Sequence, residues 1–253
     1  MLISFAQFQL FFMALTRILS IVIHIPVLAG PAVPTQVRIA LGIILTLIMV
    51  PWQPVSSATE ALPLITFAVG IFKELVIGTL AGFAIDLTFG AVQITGELVG
   101  LTGGFTASRI LNPALGESTS VIDQLYTMVA LLIFLALNGH HTFLAALNLS
   151  FQVIPTNGPL PATDLASFTQ MTSRLIMIGI QMALPVMGAL LLTDLTLGLL
   201  ARVAPQIQVF FLGLPLKVGI SLLGTSLALS IIIPVIVDLY KQMGFRFLGL
   251  LGG

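Results

Sequence analysis

An all-α integral membrane protein, with about six long kinked apolar helices, is the fold class this sequence predicts, on three observations. Of 253 residues, 58% are hydrophobic and 7% are charged, against roughly a quarter charged in an ordinary soluble domain. Nine basic and nine acidic side chains cannot cover the surface of a soluble fold of this size. The apolar residues also fall into blocks near the roughly 20 residues that cross a bilayer.

The same composition removes several classes of function. With a net charge of zero, the chain has no basic surface for nucleic acid. Without cysteine, disulfides, Cys-ligated zinc, iron–sulfur clusters and a thiol nucleophile are excluded. No Gly-x-Ser-x-Gly elbow, His-Glu-x-x-His pair or phosphate loop occurs. His140 and His141 are adjacent, so on a helix they diverge by about 100° and cannot hold one metal from the same face. His24 stands alone in the sequence. No catalytic, metal-binding or cofactor-binding residue is expected.

The first block is about Leu2–Leu28, ending at Pro26, Pro31 and Pro34. Val27-Leu28-Ala29 imitates a signal-peptidase site. No basic segment precedes it, the apolar stretch is too long and Arg17 sits in its middle, so Met1–Ala29 reads as a retained helix. The second block is about Ile39–Pro51. The third, about Leu62–Val92, is interrupted by Lys73-Glu74 and Asp86. The fourth, about Leu125–Leu137, continues as Thr142–Ile154 after Asn138-Gly139-His140-His141; one bent crossing and a re-entrant pair fit equally. Leu175–Leu200 and Val218–Tyr240 complete the set. The longest polar stretches, Gln93–Gln124 and Pro155–Arg174, are too short for a core of their own. Arg38, Lys241 and Arg246 favour the cytoplasm, and Glu60 marks the other side.

A charge inside an apolar helix is unfavourable by about 2.5–3.5 kcal/mol on insertion scales, so each one requires a partner or a water-lined cavity. Gly78, Gly82, Asp86 and Gly90 recur every four residues, which places them on one face. Glycines there let a second backbone approach closely. The carboxylate is then either a buried, hydrogen-bonded packing element or a proton or ion site. Glu97 lies in a second small-residue ridge of Gly96, Gly100 and Gly104. Such a run implies close packing or a deformable segment rather than a rigid lipid-facing helix.

The segment that follows, Gly103-Gly104-Phe105-Thr106-Ala107-Ser108-Arg109-Ile110-Leu111-Asn112-Pro113, is too polar for hydrocarbon. Phe105, Ile110 and Leu111 are too apolar for a free surface loop. Irregular backbone at membrane depth is tolerated where it is buried in protein or lines a cavity. A lumen-facing loop and an ordinary connector both satisfy this. Asp194, Gly198 and Arg202 share a face at spacing four; either Arg202 bridges to Asp194 through neighbours or it caps the helix C-terminus. Pro205 breaks the chain after Arg202, and Val209–Lys217 is expected to separate two long helices. The last third is then a helical hairpin, bent at Pro185 and Pro234.

Arg202-Val203-Ala204-Pro205-Gln206, followed by Phe210, Gly213-Leu214-Pro215, resembles the most recognisable motif of the FliR/SpaR family, the R-type export-gate proteins of type III secretion. Asn138-Gly139-His140, Gly96-Glu97-Leu98-Val99-Gly100 and Val33-Pro34 with Val37-Arg38 fit in the same order, from about residue 10 to 230. The Gly213-Leu214-Pro215 and Gly139-His140 contexts are closer to the flagellar than to the virulence branch.

The resemblance implies a single export-gate domain over 1–253. Its P-like part would be 1–174, with a plug loop at about 103–118, and its Q-like helical hairpin and tail 175–253. It implies P-type and Q-type subunits as partners around a pore, with B-type and A-type components, unfolded export substrates and membrane lipid. The place would be the bacterial inner membrane at the flagellar basal body, with the assembled gate largely above the bilayer plane. Plug and gating residues would be Gly103, Gly104, Phe105, Ile110, Leu111, Asn112 and Pro113. Asp86, Glu97, Asp194, Arg202, Pro205 and Lys217 would serve intramembrane charge and subunit packing. The family often has an acidic residue before this proline; Asn112 stands here, so charge-based gating does not carry over to it. The chain stops soon after Tyr240, with no fused partner domain expected. From another class, a secondary transporter would use Asp86, Glu97 and Asp194 as relay sites, but it predicts an inverted repeat that the sequence does not display.

Overall fold

The structure is a computed structural model that describes residues 5–30, 33–49, 61–106, 120–156, 158, 165–206 and 208–250. Every regular element among them is an α-helix: α1 Phe5–Val22, α2 Pro26–Ala29, α3 Thr35–Met49, α4 Leu64–Thr102, α5 Val121–Ala136, α6 Gly139–Val153, α7 Leu165–Val203, α8 Val209–Lys241 and α9 Met243–Leu250. The all-α membrane expectation therefore holds, with different helix bounds. Four helices, α1, α4, α7 and α8, are long and apolar enough to cross a bilayer, and α5 with α6 makes a fifth if the broken pair is one crossing. At 15 residues, α3 is shorter than a crossing requires.

Two expectations are corrected. The polar stretch beginning at Gln93 is helical as far as Thr102, so α4 runs 39 residues without a break. Its glycines do not disrupt it because helices packed against Gly96 and Gly100 restore the contacts that a missing side chain forfeits. Val209–Lys217 does not separate two helices; it forms the first turns of α8, and only 204–208 lie between α7 and α8. Pro215 removes one backbone donor and clashes with one carbonyl, a local defect that the remaining 33-residue helix outlasts.

Contacts gather into two compact units. The first comprises Met1–Thr88, Asn138–Met171 and Tyr240–Gly253. Here α1 packs on α3 and α9 packs on α6. Its interior holds Met13, Ile18, Ile21, Ile77, Ile85 and Leu147, all at most 2% exposed. Gln9 ties α1 to the chain ahead of α4 through a two-way amide bond with the Leu62 backbone, at 2.9 and 2.8 Å. Phe83 and Phe168 stack with centroids 5.3 Å apart.

The second unit comprises Phe89–Leu137 and Thr172–Leu239. Phe89 meets Phe134 edge-on at 5.4 Å. The Thr95 hydroxyl donates to the Gly179 carbonyl at 2.9 Å, and Gly179 sits against the Ala91 backbone. A small apolar cleft of about 170 Å³ lies beside Pro185, lined by Ile178, Met182, Ile231 and Val235. In both units large apolar side chains also point outward, among them Phe72, Leu192, Leu223 and Leu227. Such faces suit lipid or neighbouring protein and do not suit water.

Candidate functional site

Chemistry in this chain is confined to a few polar groups set among apolar helices. The deepest is in the first unit. Arg17, in the middle of α1, is completely buried, and Glu74 on α4 is 1% exposed. The Arg17 Nε donates to Glu74 Oε2 at 2.5 Å. Arg17 Nη1 donates to the carbonyls of Ser150 and Ile154 at 3.1 and 2.8 Å. These oxygens lie at the C-terminus of α6, where a cation is favoured by the helix dipole; the Ser150 carbonyl also accepts from the Ile154 amide at 3.0 Å. The guanidinium also lies 4.4 Å from the Phe151 ring centroid, a cation–π contact strengthened by desolvation. One arginine thus joins three helices. Sequence reasoning noted Arg17 and Glu74 only as interruptions, although two opposite charges in the middle of two apolar helices are the signal for such a pair.

Asp86 lies further along the same α1–α4 contact. The face shared by Gly78, Gly82 and Asp86 is turned to α1. A Cβ at Gly78 would stand 2.6 Å from the Ser20 Cβ and 2.7 Å from the Arg17 carbonyl oxygen. One at Gly82 would stand 2.6 Å from the His24 ring. Asp86 Oδ2 meets His24 Nδ1 at 2.5 Å. His24 is therefore not alone, as its isolation in the sequence suggested; it sits between α1 and α2, where the chain turns it onto α4. Gly90, the fourth member of that face, has open space where a Cβ would be.

In the second unit the glycine ridge closes on α5. A Cβ at Gly96 would lie 2.7 Å from the Asp123 Cα, and one at Gly100 would collide with Ser120. Ser120 caps α5, its Oγ accepting from the Ile122 amide at 3.2 Å. The end of α4 is set by Gly104, whose φ of 83° lies in the left-handed region that glycine adopts without strain. The Phe105 amide donates to the Gly100 carbonyl at 3.0 Å, and the Gly104 amide to Leu101 at 3.4 Å. This is the paired closure by which a helix terminates on a left-handed glycine. Gly103 packs against Ser221 of α8, and Gly104 faces Leu214. From this turn the chain enters residues 107–119, so Ile110, Leu111, Asn112 and Pro113 lie outside the described residues.

The other sequence candidates separate. Lys217 Nζ pairs with Asp194 Oδ1 at 2.5 Å between α8 and α7, half exposed; the bridge from Asp194 goes to Lys217, not to Arg202. Arg202 is exposed in the last turn of α7, Pro205 is exposed in the break, and Glu97 is exposed on α4. The rings of His140 and His141 lie 4.3 Å apart at 61°, exposed at the start of α6. No group of three or more metal-ligating side chains occurs among the described residues.

The chain matches the family described as bacterial export proteins, family 1, over residues 8–243. It is 33% identical over 225 residues to the flagellar biosynthetic protein FliR of Escherichia coli K12, covering 87% of this chain and 85% of that protein. It is 30% identical over 241 residues to the FliR of Bacillus subtilis 168, covering 92% and 91%. It is also 30% identical over 154 residues to the Yop proteins translocation protein T of Yersinia pestis, covering 60% and 59%. A match across nearly the whole chain and these identities place this protein in the bacterial export proteins, family 1.

Proposed function

We propose that this chain is a structural and gating subunit of the flagellar protein-export gate, forming with P-type and Q-type subunits a path for unfolded substrates in the inner membrane. It is a membrane-embedded, non-enzymatic component of flagellar protein export. The finer reading rests on the family match over residues 8–243, with B-type and A-type components as further partners.

Two features of the chain support the gating part. The α4 terminus at Gly103–Gly104 packs against α8 at Ser221 and Leu214, so the turn that precedes the expected plug loop is braced by a second helix. Among the described residues the buried polar groups are mostly Ser and Thr hydroxyls bonded to carbonyls of their own helix, with Arg17 and Glu74 the buried charges, while many outward positions are large and apolar. A subunit surrounded by lipid and by other helical subunits has that character; a solute carrier with converging relay carboxylates does not. Asp86 and Asp194 are engaged by His24 and Lys217 respectively, and Glu97 is exposed.

Co-expression of the tagged full chain with P-type and Q-type subunits, followed by detergent purification and mass determination of the intact assembly, tests the proposal. A defined complex that fails to form when residues 175–253 are removed supports it. Recovery of this chain only as a free species, in cells where its loss leaves flagellin secretion unchanged, would overturn it.

A further inference from the structure

Helices α1 and α4 run in the same direction along their contact, because Arg17 meets Glu74, Ser20 meets Gly78 and His24 meets Gly82 and Asp86. A polar side-chain pair stands at each end, and the two ends differ. Arg17 and Glu74 are 0% and 1% exposed, with guanidinium bonds to two further carbonyls. His24 and Asp86 are 25% and 41% exposed, joined through a single contact, Nδ1 to Oδ2. Arginine keeps its charge at any physiological pH; histidine is the side chain whose charge changes near neutrality.

We propose that His24 and Asp86 form a proton-binding clasp that holds the α1–α2 corner against α4, with Arg17–Glu74 as the permanent anchor. When the imidazole is protonated, the clasp is an imidazolium–carboxylate pair. Loss of one proton to solvent leaves a neutral ring facing a carboxylate, with one hydrogen bond and no charge attraction. The charged ring holds the carboxylate by attraction as well as by the hydrogen bond, so the protonated pair favours closure. The pair sits at a break between helices. His24 follows the last turn of α1, α2 is a four-residue helix starting at Pro26, and the ring lies in a notch present only because residue 82 is glycine.

Other charges on the packed elements are few. Lys73 and Glu74 precede the clasp by three turns of α4, and Glu74 is held by Arg17. On α3, Arg38 donates to the Gly30 and Val33 carbonyls at 2.9 and 3.0 Å. The part of α7 in this unit, 165–171, carries no charged residue.

The chain has no cysteine, so single thiols report cleanly. Ile25, 5% exposed beside the clasp, and Met13, buried near the anchor, are each replaced in the full chain in lipid nanodiscs. Thiol-labelling rates are compared from about pH 5 to about pH 8, the interval in which an imidazole changes charge. The ratio of the Ile25→Cys rate to the Met13→Cys rate should rise by about two- to fivefold with pH, the scale of a partly exposed ion pair. With Asp86→Asn the ratio should be high and flat. With His24→Lys, which keeps a cation in place and guards against a misfolded Asp86→Asn chain, it should be low and flat. A flat ratio in the chain with both clasp residues, or the same rise in either variant, overturns the proposal.

Discussion

Removing Glu74 tests how the first unit is held together. Glu74→Ala leaves the Arg17 guanidinium, fully buried, with two carbonyls and one aromatic face but no counter-charge. Stranding one member of a buried pair costs about 3–5 kcal/mol. The double variant Arg17→Met/Glu74→Leu removes both charges and keeps most of the volume. It loses the hydrogen bonds to the Ser150 and Ile154 carbonyls but also the desolvation of two ions, so it should lie within about 2 kcal/mol of the unaltered chain. The assay is reversible unfolding of the purified full chain in mixed micelles, followed by circular dichroism across an SDS titration. Strong coupling, with the double variant more stable than Glu74→Ala alone, is the expected result. Additive losses would refute the reasoning, since they would mean that the two charges are not each other's compensation.

Further predictions follow from the same contacts. Gly78→Ala places a methyl against the Arg17 carbonyl and should cost about 1–3 kcal/mol, whereas Gly90→Ala meets open space and should gain up to about 1 kcal/mol; thermal unfolding of the two variants checks the difference in sign. Ser221 is buried without a hydrogen-bond partner for its hydroxyl among the described residues, unlike Thr46, Thr88 and Thr193, which donate to the carbonyl four residues back. Ser221→Ala should therefore be neutral or stabilising by up to about 1 kcal/mol in the same assay. Lys217→Ala breaks a half-exposed pair and should cost no more than about 1 kcal/mol, measured by a double-mutant cycle with Asp194→Ala.

Composition and the length of the apolar blocks read the class of fold from the sequence, because hydrocarbon and buried helix packing both select them. They did not read helix ends. Gly96 and Gly100 looked like defects in α4, and their use is seen only once the start of α5 lies against them, Asp123 and Tyr126 on Gly96 and Ser120 on Gly100. Pro215 looked like a boundary, yet α8 already begins at Val209. Spacing four placed Gly78, Gly82 and Asp86 on one face, but a one-dimensional pattern cannot say what covers it. His24 is 62 residues away along the chain, and Arg17 and Glu74 are 57 apart. The motif at Arg202–Gln206 carried the family, while Arg202 and Pro205 themselves stand exposed. Their use is accordingly not legible from this chain's own contacts.

The claim that this chain gates an export path is tested most directly by ion conductance. Deleting Thr106–Leu115 removes most of the segment that leaves the Gly103–Gly104 turn and keeps that turn intact. In cells assembling the complete export gate, or in bilayers holding the purified assembly, the deletion should raise ion leak well above that of the undeleted gate. Unchanged leak, with the assembly intact by mass, would contradict the account.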